Sequence, residues 1–143
     1  ANISGRYDVV TLLIGVNNQY RGRDAAEYRD QFASLLDKAV EYAGENTQHV
    51  VVISIPDWGV TPTGDGRDRA KIAAEIDVFN SLARRATLSR GARWVDITDL
   101  SRLAATDPTM TAADGLHPTA KMYSLWVDRL LPVVREIVSG VPD

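Results

Sequence analysis

Three stretches of this chain are apolar at nearly every position, and three longer ones are apolar at steps of three and four. The continuous runs are Tyr7-Asp8-Val9-Val10-Thr11-Leu12-Leu13-Ile14, His49-Val50-Val51-Val52-Ile53-Ser54-Ile55 and the shorter Arg93-Trp94-Val95-Asp96-Ile97. Rich in β-branched residues and apolar on both faces, they predict strands covered on both sides, as in a parallel sheet. Between them, residues 24–43 put Ala25, Tyr28, Phe32, Leu35, Leu36, Ala39 and Val40 on one helical face. Residues 67–90 do the same with Ile72, Ile76, Phe79, Leu82 and Ala83, and a third helix is predicted from Pro118 to about residue 138. Gly44-Glu45-Asn46 and Gly91 end the first two helices.

The remaining segments read as connections. Residues 1–5 form a loop, and Gly15-Val16-Asn17-Asn18 a turn after the first strand. Residues 56–66 are a long loop rich in turn formers that carries Trp58, residues 99–105 a helical turn, and residues 106–113 a loop. The order β-α-β-α-β-α predicts a three-layer α/β fold: a parallel sheet with right-handed crossovers and helices on both faces. In such sheets, sites gather beyond the carboxyl ends of the strands. Asn17, Trp58 and the loop around residues 114–117 all fall at that edge, whereas His49, at the start of a strand, falls at the opposite one and reads as structural.

Composition narrows the field. A chain of 143 residues forms one domain with room for a core of its own. A net charge of -3 without a Lys/Arg cluster argues against nucleic-acid partners. The absence of cysteine excludes disulfides, thiolate metal sites and a cysteine nucleophile, but leaves the compartment open, cytoplasmic or secreted. No apolar run approaches the length of a membrane span. The chain reads as a soluble protein whose N-terminus is uninformative about targeting, since it enters a strand almost at once.

The candidate chemistry centres on Asp114-Gly115-Leu116-His117-Pro118, which holds one of only two histidines. An aspartate three residues before a histidine can orient its ring and favour one tautomer, as hydrolytic triads require. Gly115 allows the turn between them, and Pro118 suits the first position of a following helix. The plainer alternative is a helix start capped by Asp114 with an incidental histidine.

Two segments together resemble the SGNH hydrolases, also called GDSL-type esterases and lipases. Ile14-Gly15-Val16-Asn17-Asn18 looks like that family's Gly-x-Asn-Asp block, with Asn18 in place of its aspartate. Asp114-Gly115-Leu116-His117-Pro118 matches its Asp-x-x-His block, and residues 54–62 look like the loop after a strand in some bacterial members. The resemblance runs from about residue 7 to the end. It implies a flavodoxin-like sheet lacking the family's first two βα units, with no cofactor and no metal. It also implies that Asn17 donates to an oxyanion, that His117 is the general base and then acid, and that Asp114 orients and stabilises its imidazolium. The bland reading of Asn17 is a left-handed turn residue after a strand. Gly15 and Trp58 are candidate pocket residues, though Trp58 also suits a cover over the sheet edge, and Asn18 reads as a turn residue.

The family's Gly-Asp-Ser block, which carries the nucleophile, is absent, as is the block whose glycine completes the oxyanion hole. No serine falls on a strand-to-helix elbow. Ser4 is a nucleophile candidate only if the N-terminal segment folds back towards His117. The expected function is hydrolysis of a small ester (an acyl ester, an acetylated sugar or a lipid), with weak or no activity in this chain. The alternative is a non-catalytic binding or interaction module on the same scaffold. Without the missing units, the strand over residues 7–14 is left with an open edge, which predicts a homodimer or association with an N-terminal fragment.

Overall fold

In the computed structural model, which describes residues 5–140, the most deeply buried stretch is β2 (Val50–Ile53). Val50, Val51 and Val52 are sealed from solvent because the strand is central. β1 (Val10–Leu12) pairs with it in parallel, Val10 opposite Val50 and Leu12 opposite Val52. On the other side β3 (Arg93–Val95) pairs in parallel, Val51 opposite Arg93 and Ile53 opposite Val95, so the order is β1-β2-β3.

Five α-helices and several short 3-10 turns surround the sheet among the described residues, the α-helices being α1 (Val16–Tyr20), α2 (Ala25–Tyr42), α3 (Arg69–Ser89), α4 (Thr98–Ser101) and α5 (Ala120–Ser139). Because strand side chains alternate, Val50 and Val52 face one way with Val10, Leu12 and Trp94, into a core built by Phe32 and Leu36 of α2 and Ile76 and Phe79 of α3. Val51 and Val95 face the other way, with Val9 and Ile53 alongside, against Met122, Trp126 and Ile137 of α5. Helices therefore cover both faces of a parallel sheet, as the order of the segments predicted. Each fully buried aliphatic or Phe side chain in these layers contributes about 1.5–3 kcal/mol.

The differences from expectation have local causes. The first strand is three residues long rather than eight: Tyr7 N–H donates to Tyr42 O, at the end of α2, and Ile14 leads into a left-handed Gly15. With a neighbour on one side only among the described residues, β1 is half-exposed rather than covered on both sides, and Leu13 and Ile14 reach solvent. β2 ends at Ile53 because the Ile55 N–H is captured by the Asn80 side chain at 2.8 Å. β3 ends at Val95, after which the Ile97 and Thr98 N–H groups turn to the Ser54 hydroxyl. Leu35 faces solvent rather than the core. α5 begins at Ala120, not at Pro118. Thr119 is its cap, and Pro118 instead makes an isolated bridge with Thr111.

Candidate active site

Asp114 is not a helix cap. Its Oδ1 accepts the N–H groups of Leu116 and His117 at 2.9 and 3.0 Å, closing a turn that Gly115, at φ +73°, makes possible. Its Oδ2 lies 2.6 Å from Nδ1 of His117. The two backbone N–H donors, first that of His117 and then that of Leu116, together with the imidazole, hold the Asp114 carboxyl down at about 2. One carboxylate thus fixes the loop and the ring at once, and directs Nε2 away from itself.

The loop is clamped from outside. Thr63 donates both its N–H, at 3.0 Å, and its hydroxyl, at 2.9 Å, to Gly115 O. Thr119 donates its N–H to Met110 O, and Ala112 N–H reaches His117 O at 2.8 Å. The segment after β2 and the start of α5 therefore hold His117 in place from two directions.

Asn17 is in α1, not in a left-handed turn: Glu45 is the only non-glycine with positive φ among the described residues. Gly15, at φ +125°, turns the chain sharply from β1 into that helix, and Asn17 and Asn18 follow in its first turn. Asn18 points to α2, donating to Gln31 Oε1 at 2.8 Å.

Asn17 and His117 line one cavity of about 370 Å³, together with Trp58, Leu116, Met122 and Trp126, a volume within the usual range of small-molecule sites. Trp58 is buried and donates its indole N–H to Gln19 Oε1, so it both walls the cavity and packs into the core. Gly15 does not line the cavity: its Cα faces the ring of Tyr28. Asp57, the one carboxylate among the described residues that line the cavity, is already engaged, accepting from Arg102 Nε at 2.9 Å and Gly59 N–H at 3.0 Å.

Ser101 is the one serine among the described residues that lines this cavity, and sequence reasoning passed over it. Its hydroxyl donates to Thr98 O at 2.6 Å and accepts Asp57 N–H at 2.9 Å, so it is buried and occupied. Ser4 lies outside the described residues. Three or more His, Asp or Glu side chains do not converge as a metal site among the described residues, and no helix there is long and apolar enough to cross a membrane.

Residues 2–125 match the GDSL-like lipase/acylhydrolase family. Three solved structures share the fold: LAE5, described as an alpha/beta hydrolase enzyme from the metagenome of Lake Arreo, Spain (TM-score 0.63, 18% identity, 95% of this chain and 62% of that one); TesA (0.62, 17%, 91% and 63%); and a mutant of Axe2, an acetyl-xylooligosaccharide esterase from Geobacillus Stearmophilus (0.63, 17%, 90% and 60%). The chain thus spans about three-fifths of the length of these structures. No curated protein matches it.

Proposed function

Because the chain belongs to the GDSL-like lipase/acylhydrolase family, we propose that its site is built for carboxylic-ester hydrolysis through a serine-acyl intermediate. The observation that carries this reading is the shared cavity of Asn17 and His117, with Asp114 Oδ2 2.6 Å from the histidine Nδ1. Nε2 of His117 takes the proton of an attacking hydroxyl and then returns it to the leaving alcohol. Asp114 holds the ring with its proton on Nδ1 and stabilises the imidazolium that forms. The Asn17 amide donates to the oxygen on which the tetrahedral intermediate places its charge. The substrate is a small ester: an acyl ester, an acetylated sugar or a lipid.

The attacking hydroxyl is the missing part. Ser101 is already hydrogen-bonded on both sides, and Ser4 is the remaining candidate of this chain. We place association with another chain at the outer edge of β1, in the strand predicted from Tyr7 to Ile14. A second copy there gives a dimer, whereas an N-terminal fragment also supplies the nucleophile. Alone, the 143-residue chain is expected to hydrolyse p-nitrophenyl acetate weakly or not at all. That missing hydroxyl also favours the second reading, a binding module that keeps the scaffold.

The test combines turnover with ring chemistry. Any ester cleavage above buffer is expected to vanish in His117→Ala and to fall in Asn17→Ala. In ¹⁵N spectra, His117 should carry its neutral-form proton on Nδ1. A robust rate that survives both substitutions, or a proton fixed on Nε2, defeats the assignment.

A further inference from the structure

A second cleft, of about 530 Å³, opens beside β3, the strand at the far side of the sheet from β1. Trp94 of β3 borders it, half-buried, with part of its ring packed on the core between the sheet and α3. Asp77, Ser81 and Arg84 form one wall, spaced four and three residues apart and so on one face of α3. Asp96, Asp99, Arg102 and Arg129 close the cleft from the segment after β3 and from α5. It stands back to back with the catalytic cavity: Arg102 lines the cleft, and the Asp57 carboxylate that it holds lines the cavity.

The charges around the cleft balance, three arginines against three aspartates, and most are fixed in place. Arg102 donates to Asp57 at 2.9 Å and to Asp77 at 2.8 Å. Arg129 donates to Asp96 O at 2.8 Å and to the Asp99 carboxylate. Asp96 Oδ1 accepts Thr98 N–H at 2.9 Å and lies 2.8 Å from Ser54 Oγ. A guanidinium has more N–H donors, and a carboxylate more lone pairs, than these bonds use. Ser81 and Arg84 are exposed and have no hydrogen-bond or ion-pair partner among the described residues.

We propose that this cleft binds a neutral saccharide, at a site separate from the catalytic cavity. A sugar hydroxyl both donates and accepts, so it needs donors and acceptors side by side, and the alternation of arginine and aspartate offers both. Because ion pairs already hold these groups, little side-chain order remains to be lost on binding. One face of a sugar ring is made of C–H groups, and the indole of Trp94 offers a flat apolar surface to receive it. Other ligands meet opposition. An anion approaches three carboxylates, a cation three guanidiniums, and an alkyl chain strips water from all six charges. The assignment does not rest on the esterase reading. For an acetylated glycan, the cleft adds a second point of attachment beside the cavity.

Titrations of the 143-residue chain followed in ¹⁵N-¹H spectra test the proposal, with xylotetraose, maltotetraose, inorganic phosphate and hexanoate as separate probes. With at least one of the sugars, the Ser81 and Asp99 amides and the Trp94 indole N–H should shift along one saturating curve in the millimolar range. Asn17 and Leu116, in the catalytic cavity, should not follow that curve. Trp94→Leu keeps an apolar side chain against the core, and Ser81→Ala/Arg84→Ala changes only the exposed face of α3. Each should weaken binding roughly fivefold, with circular dichroism confirming the fold. The readout is binding rather than turnover, so its failure is distinct from failure of the esterase reading. The proposal is overturned by no shift with either sugar, or by shifts confined to the catalytic cavity. Binding indifferent to the Ser81→Ala/Arg84→Ala change, or a cleft that responds to phosphate or hexanoate but to neither sugar, overturns it equally.

Discussion

The indole N–H of Trp58 donates to Oε1 of Gln19 at 2.6 Å, and this bond joins the two segments that wall the cavity on the Asn17 side. Gln19 is buried and passes the contact on, its Nε2 donating to Glu75 Oε2 at 2.8 Å. Tyr20 packs edge-on to Trp58 at 5.0 Å, and the Arg67 guanidinium lies 5.3 Å from both ring centres. α1 is only five residues long and has no side-chain cap, so these contacts, rather than helix propensity, set its position and that of Asn17.

Replacing Gln19 with Leu leaves a buried indole N–H without an acceptor. The expected loss is about 1–3 kcal/mol, or roughly 3–8 °C in melting temperature. The Asn17 side-chain amide resonances should move as α1 shifts. Calorimetry and a ¹⁵N-¹H spectrum read both effects, and a variant as stable as wild type would show that the bond is incidental.

A second buried network closes the carboxyl end of the sheet. Asn80 donates to Ile55 O at 3.2 Å and Thr98 Oγ1 at 2.9 Å, and accepts the Ile55 N–H. Ser54 Oγ accepts from Ile97 N–H at 2.7 Å and lies 2.8 Å from Asp96 Oδ1. Asn80→Leu orphans the buried backbone N–H of Ile55 and removes the bridge between β2 and α4. It should lower stability by about 1–3 kcal/mol, read as a shifted urea midpoint at unchanged slope.

These two networks also mark what the sequence conceals. The strand interiors and helix faces were legible because apolar period is a local property: Val50, Val51 and Val52 were buried as the unbroken run implied, and Asp24 caps α2 where the pattern began. Gln19, Ser54 and Asn80 carry no such mark. A polar side chain on a helix or after a strand reads as solvated until the fold supplies its partner, and those partners lie 18 to 56 residues away. The length of β1 was misjudged for a related reason, since the Tyr7 N–H finds its acceptor, Tyr42 O, 35 residues on, and Gly15 turns the chain away at the other end. The pairing of Asp114 with His117 was visible because it spans three residues. The meeting of Asn17 with His117 in one cavity needed the parallel order of strands, and Ser101, the one serine among the described residues that lines it, is hydrogen-bonded on both sides.

The pH response of the site follows from Asp114. Its folded-state pKa of about 2 lies below the value of about 3.9 for an unfolded aspartate. A depressed carboxylate adds stability that is present above the unfolded value and lost as pH falls through the folded one. The 114–117 turn should therefore loosen between about pH 4 and pH 2, seen as faster amide exchange at Leu116 and His117. Asp114→Asn separates charge from geometry. Its Oδ1 can still accept the two N–H groups, but its amide faces Nδ1 as a donor and drives the histidine proton to Nε2. The ¹⁵N shifts of His117 should show that tautomer switch with the turn preserved, and an unchanged tautomer counts against Asp114 as the orienting group.

The turn into α1 leaves no room for a side chain at Gly15. Gly15 sits at φ +125°, and a Cβ there would lie 2.6 Å from Cε2 of Tyr28. That ring has little room to retreat: it is buried, stacked on Phe79 at 4.5 Å, and hydrogen-bonded through its hydroxyl to Ile14 O at 3.2 Å. Gly15→Ala therefore meets both backbone strain and overpacking, together about 2–5 kcal/mol. Gly22→Ala is the control, since Gly22 also has positive φ, at +64°, but open space where its Cβ would go. It should cost only about 1 kcal/mol. Equal melting temperatures for the two variants would mean that Tyr28 yields without penalty, and that the approach of α1 to the core is looser than the packing implies.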